Sequence, residues 1–137
     1  MALWAVFGRH FLGCSLVGLG SPEAGLAELQ RGRSDAAKLE NRIFLPITLS
    51  FEAQGLAALG RHDEALAQLK EALRVVDETQ EKWWEAEVHR MQGEIMLAQG
   101  NATAECKERF HRAIEIATTQ GAKLLERRAS ASMQRML

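Results

Sequence analysis

Glu85 and His89 stand four residues apart in the phrase WWEAEVHR, a spacing at which a carboxylate and an imidazole on one helical face can share a metal ion. A zinc site needs three or four ligands, and no second His or Cys lies near this pair. The spacing therefore reads as an exposed i,i+4 surface pair. His111, with Glu108 and Glu115 on either side, reads the same way. Ser15, Ser50 and Ser130 lack the G-x-S-x-G setting of a nucleophile elbow. No G-x-x-x-x-G-K-[ST] phosphate loop occurs. Cys14 and Cys106 are far apart in sequence, which fits two free thiols in a reducing cytoplasm better than a disulfide framework or a metal cluster. The expectation is a non-catalytic chain with no metal and no cofactor.

Two further groups invite a binding role. Glu87, Arg90 and Glu94 form a charged triple at one-turn spacing. Arg90 can pair a partner's carboxylate, or the three can neutralise one another as a solvated cluster contributing under about 1 kcal/mol. Trp83 and Trp84 are adjacent, so on a helix they point about 100° apart and form no single flat platform. At least one is expected to pack between repeats. Lys123, Arg127, Arg128 and Arg135 make the end of the chain basic, which suits a helix C-terminus. Without interleaved aromatics they are not read as a nucleic-acid site.

The elements that must position these residues come from an internal repeat. Gly20, Gly60 and Gly100 stand at intervals of 40, each closing a similar phrase: LVGLG, LAALG and MLAQG. Seven residues before each lies a small residue: Gly13, Ala53 and Gly93. After each comes an apolar pattern of helical period, clearest in Ala65, Leu66, Leu69, Ala72, Leu73 and Val76. The pattern predicts three helix–turn–helix repeats, at about 1–40, 41–80 and 81–120, in one domain. A last helix from about Ala122 to Met136 carries Ala122, Leu125, Ala129, Ser132 and Met136 in one stripe and is read as a cap.

Local signals sharpen the boundaries. Ser21-Pro22-Glu23 reads as a helix start, with Ser21 capping, Pro22 at the first position and Glu23 complementing the dipole. Gly32 sits inside the following helix, where a small residue is expected to let two helices approach closely. Pro46 belongs in the first turn of the third helix, and Asn101 is the expected N-cap of the sixth. Glu64, Gln68 and Glu71 read as a solvated face. The opening MALWAVFGRHFLGCSLVGLG imitates a signal peptide, and FLGC a lipoprotein cleavage site. Arg9 and His10 interrupt the apolar run, however, and the stretch aligns with the later first helices at the 40-residue offset, so it is read as the first helix of a repeat.

These positions carry a resemblance. Gly13/Gly20/Gly25, Ala53/Gly60/Ala65 and Gly93/Gly100 with Glu105 or Cys106 resemble the small-residue positions of the tetratricopeptide repeat. Leu29, Leu69 and Phe110 match its later bulky position, and Gly32, Ala72 and Ala113 its last small one. Its usual period is about 34 residues, against 40 here. EKWWEAEVHRMQGEIML and ERFHRAIEIATTQGAKLLERRAS are similar to the C-terminal repeat region of bacterial multidomain regulators. Those join a cyclase or DNA-binding output domain to an AAA/STAND-type ATPase; the maltose-activator-type repeat region is a broader relative. The resemblance implies an all-α, right-handed solenoid whose concave face is lined by the first helix of each pair. Carried over, its groove positions are His10 and Cys14, Ser50 and Gln54, and Glu87, Arg90 and Glu94.

Composition fits this class. Hydrophobic residues make up 47% and charged residues 26% of 137 residues, prolines number two, and the formal net charge is −1. That charge gives no general attraction to nucleic acid or an anionic membrane. Two functions remain open: a cytoplasmic scaffold for a protein or peptide partner, or for other domains of a longer parent, and a sensor whose repeat surface binds a small effector and controls an attached ATPase. Trp4, Phe7 and Phe11 leave an apolar face on the first helix that calls for preceding repeats or self-association.

Overall fold

The computed structural model describes residues 2–137. They form seven α-helices and no strand: α1 (Ala2–Gly18), α2 (Pro22–Lys38), α3 (Leu45–Ala58), α4 (His62–Thr79), α5 (Glu85–Ala98), α6 (Ala104–Gln120) and α7 (Lys123–Met136). The chain is all-α, as the period of its apolar residues requires. No helix among the described residues is long and apolar enough to cross a membrane.

The helix ends recur along the chain more regularly than the sequence suggests. Left-handed backbone occurs at Gly20, Glu40, Gly60, Gln80, Gly100 and Gly121. At Gly60 (φ 78°) the residue's own N–H donates to Ala57 O at 3.0 Å and the next, from Arg61, to Leu56 O at 2.9 Å. This double closure satisfies carbonyls that the helix leaves open, and glycine adopts it without Cβ strain. Glu40 makes the same closure without being glycine, with Asn41 N–H donating to Ala36 O at 2.9 Å. Gly20, Gly60 and Gly100 are exposed, with nothing near a would-be Cβ, so they serve backbone conformation and not packing.

Two helix starts differ from expectation. Ser21 makes no side-chain cap; its carbonyl accepts from Gly25 N–H at 3.0 Å while Pro22 opens α2. Asn101 does not cap α6. Its N–H donates to Met96 O at 3.0 Å, finishing α5, and the chain needs two more residues before it can turn again. Thr103 is the cap, accepting from Cys106 N–H.

The chain divides into two compact units, the first reaching Ala72 and the second beginning at Leu73. In the first, α1 packs along α2, and α3 packs on both. A Cβ on Gly13 would lie 2.6 Å from Leu29 Cγ, and one on Gly25 would lie 2.8 Å from Val17 N and 2.9 Å from Gly13 O. In the second, α5 packs on α6, and α7 on both. A Cβ on Gly93 would meet the Phe110 ring at 2.6 Å. Ala86, Ile116 and Ala117 form a core cluster that Ala122 and Leu125 cover.

Gly32 departs from this rule. A Cβ there would stand 3.4 Å from Arg9 Cβ and 3.6 Å from His10 N, ordinary contact distances, so no close approach requires the glycine. Gly25→Ala should therefore destabilise by about 1–3 kcal/mol, because the obstructing atoms include backbone. Gly32→Ala should be neutral or stabilise by up to about 1 kcal/mol, the helix-propensity difference. Urea denaturation of the two variants checks the contrast.

Candidate functional site

The charged triple lies on α5, and in the second unit α7 lies against it. Arg90 donates to both oxygens of Glu87, at 2.7 and 3.0 Å, and to Ser132 Oγ of α7 at 3.3 Å; its Nη1 is 3.6 Å from Glu94. α7 returns Arg128 to Glu87 at 2.9 Å, and Arg135 to Glu94 and to Ser132 Oγ. Glu87 is 2% exposed and the Arg90 side chain 14%. The triple is thus neither a solvated cluster nor an open surface. It is a largely buried network in which bidentate geometry and a second arginine offset the desolvation of the Glu87 carboxylate. The basic tail is engaged locally too: besides Arg128 and Arg135, Lys123 pairs with Glu126.

His89 is not part of an exposed pair with Glu85. It is 8% exposed, and its Nδ1 is buried with no hydrogen-bond partner. Burial lowers its pKa to about 4, and the charges of Arg109 and Arg112 push the same way. The helical period explains the error: Ala86, Val88 and His89 all fall on packed faces of α5. Among the described residues no three or more His, Cys, Asp or Glu side chains come together as a metal-ion site. Of the adjacent tryptophans, Trp83 is exposed and Trp84, at the N-cap of α5, is half-buried, with the two rings edge-on.

The first unit holds a pocket of about 410 Å³. Val6, Phe7 and His10 of α1, Gly32 and Ala36 of α2, and Phe44, Thr48 and Leu49 around the start of α3 contribute to its wall. His10 Nδ1 lies 2.8 Å from Thr48 Oγ1, and its ring stacks on Phe44 with an interplanar angle of 10°. Phe7 meets Phe44 edge-on at 5.1 Å. Burial pushes the His10 pKa down, so the imidazole is neutral near neutral pH. Cys14 Sγ sits 3.7 Å from His10 Nε2, and burial raises its thiol pKa to about 11, which leaves it unreactive.

Of the other groove positions, Ser50 is fully buried and donates to Pro46 O at 2.7 Å, while Gln54 is exposed. The structure brings His10 into a pocket and ties Glu87, Arg90 and Glu94 to α7. Gly13, Ala53, Ala65, Gly93 and Ala113 are all buried at helix contacts.

Sequence reasoning missed Glu52, which is fully buried. Arg33 grips both its oxygens, at 2.7 and 3.0 Å, and Gln68 donates to it at 3.4 Å, so Gln68 is not on a solvated face. Burial holds the carboxyl above its usual pKa, with Arg33 pulling the other way. The repeat carried no signal for it: positions 12, 52 and 92 are Leu, Glu and Gln, and Leu12 is itself exposed.

No family model matches the chain. It is 33% identical over 113 residues, 82% of its length, to an uncharacterized protein of Rhizobium meliloti (strain 1021). The chain spans 11% of that relative, which is therefore on the order of a thousand residues long.

His89 provides a pH test. Its folded pKa of about 4 lies below the unfolded value, so the unfolded chain binds the extra proton between about pH 6.5 and 4. Stability should be fully present above pH 6.5 and fall by up to about 3 kcal/mol as pH drops to 4. His89→Leu, which imports the leucine found at position 49, should remove that fall. Urea midpoints across this range, for wild type and variant, give the comparison.

Proposed function

We propose that this chain is a non-catalytic repeat module in which three tetratricopeptide-like hairpins form a right-handed α-solenoid closed by α7. It would serve protein–protein contacts in bacterial signalling or transcriptional regulation, as a segment of a longer regulator. Its similarity to a stretch of a much longer bacterial protein supports the last point.

The observation that carries the reading is the outer face of α1. Trp4, Phe11 and Leu12 are exposed, Trp4 at 72%, and Leu19 in the turn that follows is exposed too. Of the positions 40 residues later, Glu52 is buried and Phe44, Phe51 and Leu59 are half-buried. Glu52, opposite Leu12 in the repeat, is fully buried by Arg33 of α2, and Gly55, opposite Ser15, faces Pro22 O and Leu26 Cβ. A surface that α3 gives to a neighbouring hairpin is left open on α1, and an apolar stripe of this kind marks a protein contact. The partner is another protein, a peptide, or an adjoining segment of a longer parent.

A second reading, an effector-sensing module that controls an attached ATPase or output domain, is favoured by the pocket against α1, α2 and α3. A ligand that binds only the folded state raises its stability, so a thermal-shift screen of small metabolites tests it. The contact reading predicts that the isolated chain self-associates through α1 at high concentration. Trp4→Glu/Phe11→Glu should be monomeric and equally helical. Light scattering over a concentration series decides; a wild-type chain monomeric throughout removes self-association through α1 and leaves a different protein or an adjoining segment as the partner.

A further inference from the structure

The pocket of the first unit exists because α2 withholds side-chain volume there. Gly32, Ala36 and Ala37 line it, and the next repeat has Ala72, Val76 and Asp77 at the same positions. Packing does not account for the smallest of these, since a Cβ on Gly32 would meet its neighbours only at 3.4 Å and beyond. A glycine inside a helix weakens it, so the open volume is kept against a local cost in stability. At about 410 Å³ it falls within the range of small-molecule sites.

The wall indicates what fits. Phe7, Phe44 and the neutral His10 form one packed aromatic wall, with His10 stacked on one face of Phe44 and Phe7 edge-on to it, which suits a planar apolar group. The charged residues of the lining balance: Arg33 and Arg42 against Glu40 and Glu71. Neither sign is favoured, and an ionised ligand would have to shed its water without a dedicated counter-charge. Two uncharged polar side chains line it besides His10: Asn41 at the more open edge, its Oδ1 already accepting from Ile43 N–H, and the buried Thr48 beside the rings. The Thr48 hydroxyl is 2.8 Å from His10 Nδ1. If His10 donates, the hydroxyl keeps its proton to give; if His10 accepts, the oxygen keeps a lone pair.

We infer that this pocket binds an uncharged, ring-shaped small molecule with a single hydrogen-bonding group, anchored at Thr48 and packed against the aromatic wall of Phe7, His10 and Phe44. The inference rests on the effector-sensing reading and names the ligand class and the site.

The test uses the full chain and 2-naphthol as the probe, with naphthalene-2-sulfonate as its charged counterpart and naphthalene as its apolar one. Calorimetry and amide chemical shifts follow binding. Saturable 2-naphthol binding is expected, with shifts at Thr48 and Phe44 and affinity at least about tenfold above the sulfonate. Gly32→Ala/Ala36→Val, which imports the second repeat's residues, and independently Ala37→Leu should lose binding while keeping their helical circular dichroism. Thr48→Val should weaken 2-naphthol and leave naphthalene unchanged. Equal affinity for the sulfonate, unchanged binding in both filled variants, or no saturable binding to wild type would overturn the assignment. A compound from the thermal screen that stabilises the filled variants as much as wild type would sink the pocket and spare the sensing reading.

Discussion

A full-sized side chain cannot stand where Gly13 and Gly93 stand. In each case the nearest obstruction is a large residue on the following helix, Leu29 and Phe110, and both are completely buried. Ala53 and Leu69 occupy the same positions 40 residues from the first pair and are equally buried. The rest of the structure follows from this pairing of a small residue with a large one. It fixes the register of the two helices, which then need a sharp reversal seven residues after the small residue. Glycine in left-handed backbone supplies that reversal. Cys106 adds to the contact in the second unit by donating its thiol to Gly93 O at 3.3 Å, an interaction available only because the helices lie so close.

The interior is not purely apolar, and its two buried carboxylates are handled alike. Glu52 is gripped by Arg33, and Glu87 by Arg90 and Arg128. Each acid is held by a bidentate arginine, Arg33 partly exposed and Arg90 largely buried, and Glu87 gains a second arginine, the half-exposed Arg128. This matters most for α7, whose fully buried residues are only Ala129 and Ser132. So small an apolar contact holds a helix weakly. Two arginines of the basic tail, Arg128 and Arg135, fasten α7 over Glu87 and Glu94.

Much of this was legible in the sequence, where it depended on spacing along one chain. The 40-residue recurrence of glycines placed the helices, and the small residue seven positions earlier marked the tight contacts. Glu40 and Gln80 were not legible, because their left-handed backbone is imposed by the closing hydrogen bonds and no residue type announces it. The pairing of Glu52 with Arg33 and the burial of His89 were also hidden. Both depend on which face of a helix meets a neighbour, and a half-polar helix such as α5 does not reveal that by its period. The groove positions fared unevenly for the same reason. His10 reached a pocket, Ser50 was absorbed by its own helix, and Glu87, Arg90 and Glu94 were engaged by a helix that the sequence placed only as a cap.

The central claim is that the helix pairs are held by the small residue fitting the large one. A double-mutant cycle on Gly93 and Phe110 tests it most directly, with Gly93→Ala, Phe110→Val and the double variant compared by urea denaturation. The account predicts that Gly93→Ala destabilises the native chain by about 1–3 kcal/mol. In the Phe110→Val background, where the ring no longer obstructs the new methyl, it should be neutral or stabilising, for a coupling above about 1 kcal/mol. Additive effects, with Gly93→Ala equally costly in both backgrounds, would contradict it.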